Sequence, residues 1–137
     1  MSPRERADRL FDRVMRLSSE GKTDSVQFFA PMALQTYATL GPLDADLRYD
    51  YGRVAEAAGA AEIARAQADT ILQADSTHLL GLVLAVRAAV LRSDTAAARL
   101  FSRRLLAAEP SESAKKLPEY ERHQGDILDA LAEARRR

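Results

Sequence analysis

Apolar residues recur along this chain at intervals of three and four positions, which is the spacing of one face of an α-helix. Leu10, Phe11, Val14 and Met15 show the pattern in the first such stretch. No segment alternates apolar and polar side chains with the period of two that indicates a β-strand. The pattern therefore predicts an all-α protein, with seven helices joined by short connections.

Turn and capping residues separate the apolar stretches and predict where helices begin and end. Gly21 and Gly59 are placed at turns, where glycine relieves the strain of a left-handed backbone. Asp44 precedes the third helix as an N-cap. Pro110 predicts the end of the sixth helix, and Pro118 the first turn of a single last helix. Short connections make sequence neighbours antiparallel.

The fifth predicted helix, residues 77–91, differs from the others because it is apolar nearly all round. A helix with this pattern is buried on more than one side. Its apolar run, Leu79 to Leu91, contains Arg87 and is well short of the roughly 20 residues that a membrane-spanning helix needs. We therefore expect this helix at the centre of the domain and not in a bilayer.

The helices repeat with a period of about 34 residues, as in arrays of helix pairs. Arg53 coincides with Arg87 after this shift. Small residues and helix breakers also coincide, namely Ala30, Ala64 and Ala98 within units and Pro42, Ser76 and Pro110 at unit ends. The period divides a single domain, residues 1–137, into units of about 11–44, 45–78 and 79–112, with residues 113–137 as a C-terminal cap.

This arrangement resembles the tetratricopeptide repeat (TPR) family, whose units are helix pairs of about 34 residues. The unit from Ala45 to Ser76 fits best, with Gly52 as the small residue midway in its first helix. The following unit departs from the family, since Val86 stands where a small residue is expected. The resemblance implies a TPR-like α-α superhelix (solenoid) of about three helix pairs plus a C-terminal capping helix.

In this family the first helices of the units line a concave surface that holds a peptide or a partner helix. The resemblance places on that surface Met15, Ser19, Asp46, Tyr49, Arg53, Glu56, Leu80, Val83, Arg87 and Val90. The candidate peptide-binding residues are Tyr49, Arg53, Leu80, Val83, Arg87 and Val90.

The most specific form of this hypothesis concerns Arg53 and Arg87. One repeat apart, they are expected side by side, where two guanidinium groups can hold a carboxylate. The alternative is that Arg53 pairs with acidic residues of its own helix. Leu80, Val83 and Val90 accept an apolar side chain of the partner, belong to the core, or are covered by the first helix.

Charge and composition narrow the class of function. Lys and Arg number 20 and Asp and Glu number 20, so the net charge is zero, whereas nucleic-acid binders usually carry a basic field. The chain has no cysteine, which excludes disulfides and thiolate metal sites. A charged N-terminus without an apolar stretch shows no signal peptide. We expect a cytoplasmic location, either of this domain alone or as the soluble part of a larger protein.

No motif of catalysis or metal binding stands out. His78 and His123 lie in no motif. Asp44, Asp46 and Asp50 cluster at one helix start, where acids complement the helix dipole, without the glycine of a calcium loop. The sequence thus predicts no catalytic, cofactor or metal site. It predicts a non-catalytic interaction module or adaptor for an unidentified protein or peptide; the alternative is a self-associating scaffold, such as a homodimer.

Overall fold

The computed structural model describes residues 1–137 as eight α-helices without a strand, so the predicted all-α class is confirmed. The helices are α1 (Pro3–Ser19), α2 (Thr23–Ala38), α3 (Ala45–Ala57), α4 (Ala61–Ala74), α5 (Leu79–Leu91), α6 (Thr95–Ser113), α7 (Pro118–Arg122) and α8 (Gln124–Arg136).

The turns after α1 and α3 and the start of α3 form where the turn and capping residues predict them. Gly21 and Gly59 have φ values of +72° and +78°, which glycine adopts without strain. The Asp44 side chain accepts a hydrogen bond of 2.9 Å from the backbone N–H of Leu47 and caps α3. These local devices set the turns after α1 and α3 and the start of α3 before any tertiary contact is considered.

The predicted end of the sixth helix is wrong, because α6 does not end at Pro110 but continues to Ser113. Proline removes only one N–H from the helical hydrogen bonds. Buried Glu112 holds the last turn by accepting hydrogen bonds from the hydroxyl groups of Tyr120 (2.6 Å) and Thr77 (2.8 Å). A tertiary contact therefore extends the helix past its local stop signal.

The prediction of a single last helix is also wrong. Pro118 does occupy the first turn of a helix, as expected, but α7 ends at Arg122. The backbone turns at His123, where φ is −107° and ψ is 27°, and α8 begins at the next residue. The C-terminal segment therefore consists of two helices with a corner at a buried histidine.

Helix α5 lies at the centre of the molecule, as its apolar pattern predicts. It contacts α3, α4, α6 and α8 and is buried almost all round. Gly52 on α3 allows α3 and α5 to pack closely, because a Cβ atom there would overlap with the side chain of Leu84. Gly81 similarly allows α4 to pack closely against α5, because a Cβ atom at this position would lie 2.8 Å from side-chain atoms of both Ile71 and Leu72.

The remaining helices pack on both sides of this centre. Helix α1 packs against α2 and α3, and α3 packs against α4 and α5. Helix α8 packs against α6 and α5, and its Ile127 and Leu131 enter the same apolar core as α5. None of the helices combines the length and apolarity that crossing a bilayer requires. The C-terminal segment is therefore an integral part of the core.

Candidate functional site: a cleft between α1 and α8

A cleft of about 440 Å³ lies between α1 and the start of α8, over α3 and α5. Its lining residues are Phe11, Met15, Ser18, Ser19, Arg53, Arg87, His123 and Asp126. Four of them, on α1, α3 and α5, belong to the surface that the repeat pattern predicts. The other wall comes from the start of α8, a segment that the repeat pattern assigns only to a cap.

Arg53 and Arg87 lie beside each other on the floor of this cleft and share one carboxylate. The Nε atom of Arg53 donates to Oε1 of Glu56 at 3.1 Å, and the Nε atom of Arg87 donates to the same oxygen at 2.6 Å. Glu56 lies on α3, about one turn after Arg53. A residue on a rigid helix of the fold therefore orients both guanidinium groups.

Asp126 of α8 supplies a second carboxylate to this site. It accepts a hydrogen bond of 2.7 Å from the hydroxyl group of Tyr49 and pairs with Nη1 of Arg53. The carboxylate that the arginine pair was expected to take from a partner is therefore provided to Arg53 by the chain itself. Arg87 pairs with Glu56 alone and keeps a third of its side chain exposed (33%).

The charges of the site are mutually stabilised. Burial by itself lowers the pKa of Arg53, but Tyr49, Asp126 and Glu56 together raise that pKa above its ordinary range. Burial would raise the pKa of Asp126, but the charge of Arg53 and the Tyr49 hydroxyl group outweigh it and lower that pKa. Both groups are therefore charged at neutral pH, and the floor of the cleft is a fixed ionic network.

The six candidate residues do not form one surface. Tyr49, Leu80 and Val83 are fully buried. Leu80 and Val83 therefore belong to the core, which is one of the alternatives that the sequence left open. Val90 is exposed, but it lines a different cleft between α5 and α8. Of the six, the two arginines alone reach the cleft beside α1.

A second polar cluster joins α3 to the junction of α7 and α8 at the edge of the cleft. Nη1 of Arg122 lies 2.7 Å from Oδ1 of Asp46 and 2.8 Å from Oδ2 of Asp50. Nε2 of His123 lies 2.9 Å from Oδ1 of Asp46 and 3.1 Å from Oδ1 of Asp50. Asp50 and His123 are buried, with exposed fractions of 1% and 7%.

Hydrogen bonding and burial shift the pKa values of the groups in this cluster in opposite directions. The hydrogen bond to His123 lowers the pKa of Asp46, whereas burial raises the pKa of Asp50. Burial would lower the pKa of His123, but the neighbouring carboxylates of Asp46 and Asp50 outweigh it and raise that pKa. The cluster is therefore a compact arrangement of strongly interacting groups and not a solvated helix start.

Asp126, Arg122 and His123 were not predicted from the sequence as members of a site. They stand 72 to 77 residues from their partners on α3, and no local pattern relates positions so far apart. The one local signal was the spacing of Asp46 and Asp50, since residues four apart share a helix face.

Comparison with known proteins identifies no protein that is similar to this chain. No family model, curated protein or solved structure matches the chain. The geometry of the molecule is therefore the basis for assigning a function.

Proposed function

We propose that this protein is a non-catalytic interaction module with a TPR-like arrangement of three helix pairs, and that the cleft between α1 and α8 holds a segment of a partner protein. The observation that carries the proposal is the pair Arg53 and Arg87, held side by side by Glu56 on the floor of an open cleft. An oriented guanidinium pair favours carboxylate recognition.

We infer the chemistry of the partner from the lining of the cleft. Arg87 is the accessible cation, so the partner supplies an acidic side chain or a terminal carboxylate. Phe11 and Met15 of α1 form the apolar wall, and Ser18 and Ser19 form the exposed polar rim. The expected ligand is a peptide or helix that presents a carboxylate next to a large apolar side chain.

Selection from a displayed library of random peptides tests this proposal with the whole chain as bait. We expect the selected peptides to combine an acidic group with an adjacent apolar residue. Arg87→Glu should weaken their binding by about tenfold or more, because a charge-assisted hydrogen bond contributes about 1.5 to 3 kcal/mol. Fluorescence anisotropy of labelled peptides measures the change.

Arg92→Glu is the matched control, because Arg92 is exposed just beyond α5 and lies outside the cleft. It should bind the selected peptides as the unaltered protein does. If folded Arg87→Glu and Arg92→Glu bind them equally well, the cleft is not the binding site and the proposal fails. Circular dichroism verifies that both variants retain their helices.

A second candidate function, self-association, is favoured by the other cleft. It has a volume of about 260 Å³ and is lined on α5 by Val86, Val90 and Leu91, of which the last two are exposed. Exposed adjacent apolar residues of this kind occur at interfaces between copies. Light scattering over a concentration series should then show a dimer that Val90→Glu dissociates. A constant monomer mass at all concentrations would exclude this function.

A further inference from the structure

Two carboxylates and one imidazole converge where the α7–α8 junction meets α3. Asp46 and Asp50 are four residues apart and share a face of α3, and His123 lies over them. One ligand atom from each of the three lies within 4.8 Å of the other two. Two of the three residues are buried, so the cluster differs from the exposed acidic groups that commonly occur without a metal ion.

Arg122 places a positively charged nitrogen among these groups. Its Nη1 atom lies 2.7 Å from Asp46 Oδ1, 2.8 Å from Asp50 Oδ2 and 2.9 Å from Nε2 of His123. The two hydrogens of an Nη atom match the two carboxylate oxygens, whereas Nε2 of His123 can accept only when it carries no hydrogen of its own. The cluster thus holds a positively charged nitrogen between two carboxylates and an imidazole.

Asp50 provides a second, independent observation. Its Oδ1 atom is fully buried and accepts no hydrogen bond, although Nε2 of His123 is 3.1 Å away. A ring nitrogen carries at most one hydrogen, and here the aligned acceptor is Asp46. A buried carboxylate oxygen without a partner is costly, and a coordinated cation is one way to satisfy it.

We propose that Asp46, Asp50 and His123 form a binding site for a divalent transition-metal ion, of which Zn²⁺ is the best fit. Zn²⁺ binds carboxylate oxygen and imidazole nitrogen at about 2.0 to 2.2 Å, which separates ligand atoms by roughly 3.3 Å in a tetrahedron. The two ligand separations at Nε2, 2.9 and 3.1 Å, are close to that value, and the third lies within 4.8 Å. Imidazole disfavours Mg²⁺ and Ca²⁺.

Arg122 leaves the centre of the cluster when the ion binds. Its side chain is long and 39% exposed, so the guanidinium group has a path into solvent. Asp46 is the partly exposed ligand and marks the side on which water completes the coordination. The bound ion joins α3 to the start of α8 through coordinate bonds and so steadies one wall of the cleft. Binding of the ion does not require that Arg87 binds a peptide.

Calorimetric titration of chelator-treated protein with Zn²⁺ at neutral pH tests the proposal. We expect one Zn²⁺ per chain and a displacement of the ring ¹⁵N resonances of His123 in nuclear magnetic resonance spectra. Mg²⁺ should produce neither effect. Arg122→Gln should bind Zn²⁺ about tenfold more tightly, because the ion no longer competes with a positive side chain in the same cluster.

The variants separate this site from adventitious binding. His123→Gln and Asp50→Asn should each abolish stoichiometric binding, while His78→Gln, which alters the other histidine of the chain, should leave it unchanged. The proposal is overturned if folded Arg122→Gln binds no Zn²⁺, if His123→Gln binds it as well as the unaltered protein, or if Mg²⁺ binds as tightly as Zn²⁺. Circular dichroism establishes that each variant is folded.

Discussion

Gly52 illustrates how one residue sets the distance between two helices. A Cβ atom at this position would lie within 3.0 Å of three side-chain atoms of Leu84, which is itself fully buried. Leu84 therefore has little room to move away from an added methyl group. The resemblance to the TPR family singled out the position as small, and the contact with α5 supplies the physical reason.

We expect Gly52→Ala to lower the free energy of unfolding by about 1 to 2 kcal/mol. Overpacking of a close-packed core costs about 1 to 3 kcal/mol, and the better helix propensity of alanine returns at most about 1 kcal/mol of that loss. Urea denaturation followed by circular dichroism measures the change.

Gly125 of α8 is the matched control, because a Cβ atom there would meet nothing within 4 Å. With no contact to disturb, Gly125→Ala should raise the free energy of unfolding by up to about 1 kcal/mol through helix propensity alone. Equal effects of the two substitutions would show that the approach of α3 to α5 does not limit the residue at position 52.

At the scale of the helices, the end of α6 shows a tertiary contact prevailing over a local signal. Pro110 lies inside the last turns of α6, which nevertheless continue beyond it. Glu112 is the reason, because its buried carboxylate receives hydrogen bonds from Tyr120, Thr77 and Lys115. These contacts tie α6 to the start of α5 and to α7.

We expect Glu112→Ala to lower the free energy of unfolding by about 1 to 3 kcal/mol, the usual cost of depriving buried donors of their acceptor. Glu112→Gln should lower it less, since the amide oxygen still accepts from Tyr120. Urea denaturation gives both values. Glu121→Ala, at an exposed position of α7, is the comparison, and a loss as large as that of Glu112→Ala would contradict the assigned role.

For the whole molecule, acid should release the C-terminal segment because two of its anchors are carboxylates. Burial would raise the pKa of Asp126, but Arg53 and Tyr49 lower it. Burial would also raise the pKa of Glu112, but the hydrogen bonds that this carboxylate accepts lower it. Each pKa then lies below its value in the unfolded chain, so the stabilisation is present above that value and lost as pH falls through the folded-state pKa.

Thermal unfolding at a series of pH values measures this loss. The midpoint should fall as the pH drops below the ordinary pKa of Asp126, which is 3.8. For Asp126→Asn, the unfolding midpoint at neutral pH should be lower than that of the unaltered protein. It should also depend less on pH, because the amide side chain does not take up a proton. Asp129→Asn, at an exposed position of the same helix, is the control. Coincident profiles for Asp126→Asn and the unaltered protein would refute the assignment.

Local patterns account for much of the fold. The apolar periodicity predicted the helical class and the buried centre at α5, and the residues at turns predicted most helix ends, such as Asp44 capping α3. These features were readable because helix formation and capping depend on residues within a few positions of each other. The repeat also predicted that Arg53 and Arg87 lie together, since stacking of equivalent helices aligns equivalent positions.

Tertiary structure alone decided what faces the cleft. The sequence by itself determined the helices, the small residue at Gly52 and the neighbouring arginines. It did not determine that α8 brings Asp126 to Tyr49 or that His123 meets Asp50, because those pairs join distant segments of the chain and follow no repeat. Packing of Ile127 and Leu131 into the core positions α8, and that packing, rather than any local signal, assembles both polar clusters.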